Sequence, residues 1–278
     1  MSRAKSVYRD TGLELVRRLA TDGDRIFTIK RAREVAPTVG LSEGYLHEAL
    51  HHLTKAGWLV RLRPGLYALS SSIPGAAPVH EFEVAMALVS PAAISHWSAL
   101  HYYGLTDQVV RKVFVLTTTK ASPPRLRSTK TKRVSRGYLV GNVLYQFVQV
   151  KPERYFGTRK VWIGEARVTI TDRERTLLDG LSRPQYCGDF AEVLHAFEVC
   201  GTDLDLKRII EYALKLDAAT AKRLGWVLEQ QGVDPIDLEA LDKTPIKGYR
   251  KLDPTGPSQG PWNHRWMIQE NLPGKMKV

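Results

Sequence analysis

Thr28-Ile-Lys-Arg-Ala-Arg-Glu-Val-Ala36, then Ser42-Glu-Gly-Tyr-Leu-His-Glu-Ala-Leu-His-His-Leu-Thr-Lys-Ala56, then Trp58-Leu-Val-Arg-Leu-Arg-Pro-Gly-Leu-Tyr-Ala-Leu69 follow one another almost without a break. In the first segment Ile29, Ala32 and Ala36 form an apolar stripe, with Lys30, Arg31 and Glu34 left toward solvent and Thr28 placed to cap. In the second, Leu46, Ala49, Leu50 and Leu53 recur at i, i+3, i+4 and i+7, Ser42 is placed to cap, and Gly57 is placed to end the helix. In the third, strict alternation would put Arg61 and Arg63 on one face of a ribbon whose turn is Arg63-Pro64-Gly65. Helix, turn, helix, β-hairpin is the winged form of the helix-turn-helix, which sets its second helix in a major groove.

The rest of the organisation is read outward from this stretch. Leu13, Val16 and Leu19 suggest a supporting helix, closing a winged domain over residues 1–69. Residues 70–78, Ser-Ser-Ser-Ile-Pro-Gly-Ala-Ala-Pro, read as a linker. A larger unit follows over 79–242. Helices are expected over Glu81–Val89 and Ser95–Tyr103, strands over Lys112–Thr118, Gly137–Val150, Lys160–Ile163 and Arg167–Ile170, and helices near Asp172–Leu181, Phe190–Val199, Leu206–Leu214 and Ala218–Gln231. Helices on either side of a run of strands imply an α+β fold, with a mixed α/β carboxy-terminal domain built on a mainly antiparallel sheet. Residues 243–278 read as an extended tail pinned by Trp262 and Trp266.

Bulk composition agrees with a nucleic-acid partner. The chain has 278 residues, 43% of them hydrophobic, a formal net charge of +12 and a pI of about 9.7. That is enough apolar content for a folded core, and a charge that favours polyanions. Two cysteines, Cys187 and Cys200, make no disulfide framework, and the longest apolar run is too short to span a bilayer. A cytoplasmic location is expected.

On a helical wheel the face opposite Leu46 and Leu50 carries Gly44, His47, Glu48, His51 and Lys55, with Tyr45 at its flank. Ser42, Gly44, Tyr45, His47 and His51 are the expected groove-facing residues, Lys30, Arg31 and Lys55 the expected phosphate contacts, and Arg61 and Arg63 the wing contacts. A solvated polar face is the plainer alternative; the flanking helix and basic hairpin favour DNA. Between Asp107 and Glu153 there is no acidic residue, while Lys120, Arg125, Arg127, Lys130, Lys132 and Arg133 lie in a stretch rich in turn formers. This reads either as a phosphate-contacting arm or as a solvated loop.

Enzyme readings are weak. His47-Glu48-Ala49-Leu50-His51 spells H-E-x-x-H, which can place two imidazoles on zinc. The third histidine of the longer form of that motif is missing, Thr54 stands at its glycine position, and the helix belongs to a module too small to build a cleft. The chain has no Walker loop, no G-x-G-x-x-G after a strand and no G-x-S-x-G elbow; Asp205-Leu-Lys207 is its one nuclease-like pair. No metal, cofactor or catalytic residue is expected.

One string narrows the class. Thr171-Asp-Arg-Glu-Arg-Thr-Leu-Leu-Asp-Gly-Leu-Ser-Arg183, followed by Pro184, reads as a helix start, with Thr171 and Glu174 at capping-box spacing and Arg175 and Asp179 as i, i+4 partners. Taken with the winged module and Ile94-Ser-His-Trp-Ser-Ala-Leu-His-Tyr-Tyr-Gly-Leu105, it resembles the AbiEi antitoxins and transcriptional regulators of type IV toxin–antitoxin and abortive-infection systems. The resemblance extends over about residues 8–235 and leaves the tail unmatched. It implies a repressor that binds inverted repeats in its own promoter. It also implies a carboxy-terminal domain, marked here by Asp172, Arg173, Arg175 and Asp179, that neutralises a nucleotidyltransferase-like toxin without a stable complex, in the setting of phage defence. A ligand-sensing winged-helix regulator is the alternative that the residues leave open.

Overall fold

The computed structural model describes residues 2–71, 73, 77–120 and 137–272, with side chains from Thr11 onward. The chain divides into two compact units. Unit 1 comprises the described residues of 1–90, 123–145 and 162–168; unit 2 comprises those of 91–122, 146–161 and 169–278.

Unit 1 begins with α1 (Ser2–Thr21), β1 (Ile26–Thr28), α2 (Ile29–Val35), α3 (Glu43–Lys55), β2 (Leu59–Arg63), β3 (Leu66–Leu69) and α4 (Glu81–Leu88). Thr28 caps α2 as its sequence position suggests, its Oγ1 accepting from the Arg31 amide at 3.3 Å. Ser42 holds the N-cap position of α3, but its hydroxyl makes no capping bond. Leu46, Ala49, Leu50 and Leu53 of α3 are buried against Leu15, Val16 and Leu19 of α1 and Ala32 and Val35 of α2. Each large aliphatic side chain sealed there contributes about 1.5–3 kcal/mol.

Strands β1, β3 and β2 form an antiparallel sheet in that order, with Phe27 opposite Tyr67 and Val60 opposite Ala68. Gly65, at φ +76°, makes the turn between β2 and β3 after Pro64, and its carbonyl accepts from the Ile29 amide at 2.8 Å. The expected alternation along β2 does not hold. A bulge between Arg61 and Arg63 resets the register, so Leu59 and Leu62 are both buried while Val60, Arg61 and Arg63 are exposed.

The next elements are β4 (Ala93–Ile94), α5 (His96–Tyr102), β5 (Lys112–Thr117), β6 (Tyr138–Val140), β7 (Val143–Gln149), β8 (Thr158–Ile163) and β9 (Ala166–Thr171). Their strands form a six-stranded sheet in the order β6-β7-β5-β4-β9-β8. The pairs β6–β7 and β4–β5 are antiparallel, whereas β4 and β9 pair in parallel at Ile94 and Ile170. The single strand expected over 137–150 is a hairpin. Gly141-Asn142 turns the chain between Val140 and Val143, a two-residue loop of the kind that closes tight hairpins.

Unit 2 is completed by α6 (Arg173–Ser182), α7 (Phe190–Cys200), α8 (Leu206–Leu216), α9 (Ala218–Gln230), α10 (Glu239–Asp242), β10 (Arg250–Lys251), β11 (Trp262–Asn263) and β12 (Ile268–Gln269). Helix α6 lies at the centre: every residue from Glu174 to Leu181 is buried. The segment after Lys243 is more ordered than its proline and glycine content suggests, since β10, β12 and β11 form a small sheet. Trp266 is completely buried, and its indole nitrogen donates to Glu229 Oε2 at 2.7 Å. Gly225 makes room for that ring; a Cβ there would lie 2.0 Å from it. Trp262 plays no such part: it is 54% exposed and meets Tyr249 edge-on.

Candidate nucleic-acid interface

The stripe that buries Leu46, Leu50 and Leu53 dictates what α3 shows to solvent. Gly44, His47, Glu48, His51 and Lys55 are exposed together, with Ser42 exposed at the amino-terminal end and Tyr45 half-buried at the flank. His47 and His51, one turn apart, present two rings able to donate or accept hydrogen bonds. Glu48 lies 3.4 Å from His52 Nε2 rather than between the two imidazoles of the H-E-x-x-H string. Among the described residues no group of three or more histidines, cysteines or carboxylates is placed to hold a metal ion.

The basic residues of the unit divide into available and engaged ones. Lys30 and Lys55 are exposed. Arg31 is not a simple phosphate contact. Its Nε donates to Asp24 at 2.7 Å and its Nη2 to Asp22 at 3.0 Å, with Glu34 at 3.7 Å. The hydrogen bond to Asp24 foremost, with the charges of Asp24, Asp22 and Glu34, raises its pKa above the ordinary arginine value. Arg33, absent from the sequence-based set, is exposed beside the start of α3 and pairs with Glu43 at 2.8 Å. No spacing rule could single it out from the neighbouring cations.

The wing is braced. Leu62, left without a ladder partner by the bulge, gives its carbonyl to the Tyr138 hydroxyl of β6. Tyr145 donates to the Glu81 carbonyl at 3.2 Å, and Arg25 pairs with Glu83 at 3.1 Å and Glu165 at 3.4 Å. Burial raises the Glu83 carboxyl above its usual range against the opposing pull of Arg25. Arg61 and Arg63 therefore project from a strand fixed on both sides. Of the basic stretch, Lys120 is exposed in unit 2, whereas Arg125, Arg127, Lys130, Lys132 and Arg133 lie outside the described residues.

The residues of the Asp172–Asp179 string are mostly engaged in building unit 2. The expected capping box does not form: the Asp172 amide donates to the Gly157 carbonyl, and Glu174 accepts from the Asp205 amide. Asp172, not Thr171, caps α6, its Oδ1 accepting from the Arg175 amide at 2.8 Å, while Thr171 bonds Thr176 at 2.7 Å. Asp172 also accepts from the Tyr212 hydroxyl at 3.1 Å, and burial raises its carboxyl despite both bonds. Arg173 is half-buried, reaches Asp203 at 3.3 Å and lies over the Tyr103 ring. Arg175 is 1% exposed: it donates to Asp179 at 2.9 Å, to the Arg154 carbonyl at 2.8 Å and to the Phe156 carbonyl at 3.2 Å, stacked over Phe156. The i, i+4 pair foreseen between Arg175 and Asp179 is thus a buried clamp on the chain that precedes β8.

The order α1-β1-α2-α3-β2-β3, the sheet order β1-β3-β2 and the exposed polar side of α3 define a winged helix-turn-helix domain, joined in one chain to an α+β unit. Residues 14–70 match the family model described as transcriptional regulator, AbiEi antitoxin. The match covers the winged domain from within α1 onward and ends before the Asp172–Asp179 string. The crystal structure of the RV2827C protein from Mycobacterium tuberculosis has the same fold, with a TM-score of 0.66 over 93% of this chain and 90% of that one, at 16% identity. None of the curated proteins compared matches the chain. No helix among the described residues is long and apolar enough to cross a membrane.

Proposed function

We propose that this protein is a sequence-specific DNA-binding repressor and the antitoxin of a type IV toxin–antitoxin system, acting without catalysis in the cytoplasm. The observation that carries the reading is the exposed polar face of α3, with His47, His51 and Lys55 on it and Arg61 and Arg63 on the adjoining wing, in a domain matching the regulator family. Helix α3 enters the major groove, and the wing and the amino-terminal end of α3 contact phosphates. The target is an inverted repeat in the protein's own promoter. The carboxy-terminal unit neutralises a nucleotidyltransferase-like toxin.

A gel shift on the upstream promoter, in excess unrelated duplex, tests the first part. A complex that resists the competitor is expected; competition at equal strength by random DNA overturns sequence-specific repression. Co-expression with an adjacent nucleotidyltransferase-like reading frame tests the second. Rescue of growth is expected, and unrelieved toxicity removes the antitoxin role.

A further inference from the structure

The small sheet of unit 2 has one side sealed and one side open. Its registers set Arg250, Ile268 and Asn263 in one rank and Lys251, Gln269 and Trp262 in the next. Successive ranks point to opposite faces. Ile268 is completely buried in the core of the unit, in one cluster with Leu252 and Trp266, so its face is the sealed one. The opposite face carries Trp262, 54% exposed. Two more rings join it there. Tyr249 meets Trp262 edge-on at 4.8 Å and His264 edge-on at 5.8 Å, and its hydroxyl is hydrogen-bonded to His264 Nδ1. A single exposed tryptophan on a surface is ordinary. This one is braced by two other rings, on a sheet locked to the core from behind, and so forms a platform whose ordering is already done.

Charge decides what stacks on it. Between Pro245 and Leu272 the chain has two carboxylates, and both are engaged: Asp253 accepts from Thr255, and Glu270 accepts from the Trp226 indole and the Asn263 amide. Of the cations, Arg265 is spent on Glu229 and Asp242, and Lys251 on the Gly256 carbonyl. Lys247 and Arg250, on either side of Tyr249, are exposed and pair with no carboxylate among the described residues. Arg250 Nη1 lies 3.2 Å from the Tyr249 carbonyl, which holds that guanidinium beside the platform. Open rings next to unspent cations fit a base carried on a phosphodiester chain. A neutral sugar also stacks on indole but leaves both charges unused. A duplex keeps its base faces inside the helix, so the fitting ligand is a single strand. We propose that this face of unit 2 binds single-stranded nucleic acid, with a base stacked on Trp262 and the flanking phosphates drawn by Lys247 and Arg250. It is a second site, made of other residues than the helix and wing of unit 1, and it stands whether or not those bind an operator.

Fluorescence anisotropy of labelled oligonucleotides about ten residues long, RNA and DNA of one sequence, tests this on the full chain carrying Arg61→Ala and Arg63→Ala, in excess unlabelled duplex. Both substitutions and the duplex silence the winged domain. A single strand should bind and quench tryptophan emission, and the tighter of the two sugars identifies the natural source. Trp262→Ala should cost at least tenfold in affinity with an unchanged melting temperature. Trp262→Phe, which keeps a stacking face, should bind within about threefold of the parent while most of the quenching disappears. Lys247→Gln with Arg250→Gln leaves the rings in place and should lower the slope of log K against log salt by about 1.4, two phosphates at ~0.7 each. Failure of either oligonucleotide to bind overturns the proposal, as does a Trp262→Ala variant that binds as tightly as its parent. So does quenching by a neutral glucose hexasaccharide in place of the oligonucleotides, which would make the platform a sugar site.

Discussion

His47 and His51 stand on the exposed side of α3 with Lys55 one turn further on, so their roles can be separated by what their loss does. Replacing both histidines by alanine should lower discrimination between operator and random duplex by about 1–3 kcal/mol, and lower affinity for random DNA less. Competition gel shifts measure this, and equal loss on both duplexes would assign the histidines to phosphates. His96 is a different imidazole, buried and held neutral with a pKa of about 4. Its pKa is lowered by folding, so between that value and the ordinary 6.5 the unfolded chain binds a proton that the folded one refuses. Stability therefore falls as pH drops from about 6.5 toward 4, by roughly 3 kcal/mol in all. His96→Asn, which tolerates the left-handed backbone held here at φ +50°, should flatten this slope in urea unfolding between pH 7.5 and 4.5. At this scale the exposed face of α3 was legible because 3.6-residue periodicity alone separates Leu46 and Leu50 from His47 and His51. The engagement of Arg31 by Asp22 and Asp24 was less so: α2 and the turn before β1 meet only after folding.

The wing shows how one element depends on another. Its arginines emerge beside a bulge whose free carbonyl is taken up by Tyr138 of a distant hairpin. Arg61→Ala with Arg63→Ala should weaken binding to every duplex alike and reduce the slope of log K against log salt by about 2. An unchanged slope in salt-titrated fluorescence anisotropy would remove the wing from the interface. Helix α9 and the carboxy-terminal segment are coupled the same way, through Gly225 and Trp266. Gly225→Ala drives a methyl into the indole and should destabilise the protein by about 1–3 kcal/mol, with a change in the near-UV tryptophan dichroism. The bulge was not readable beforehand; a pinning role for Trp266 was expected from the sequence, but its seat against Gly225 was not. The bulge and the buried Trp266 arise from contacts between segments far apart in the chain, whereas the Gly141-Asn142 hairpin carried a local signal that a longer alternating run obscured.

For the whole molecule the governing quantity is a net charge of +12, much of it gathered in the acid-free interval between Asp107 and Glu153. Neutralising Lys130, Lys132 and Arg133 should weaken binding to all DNA and flatten its salt dependence. Unchanged affinity and slope in a filter-binding titration would make that stretch a bystander. The winged domain, the composition of its exposed helix and the α+β class were determined by the sequence itself, because caps, apolar periodicity and turn residues act over a few positions. The tertiary structure alone decided the rest: the bulge that re-aims the wing, the burial of Arg175 and Asp179, the strained His96, and the seating of Trp266. Each depends on which surfaces lose water against which others, and that is settled by packing between residues far apart in the chain.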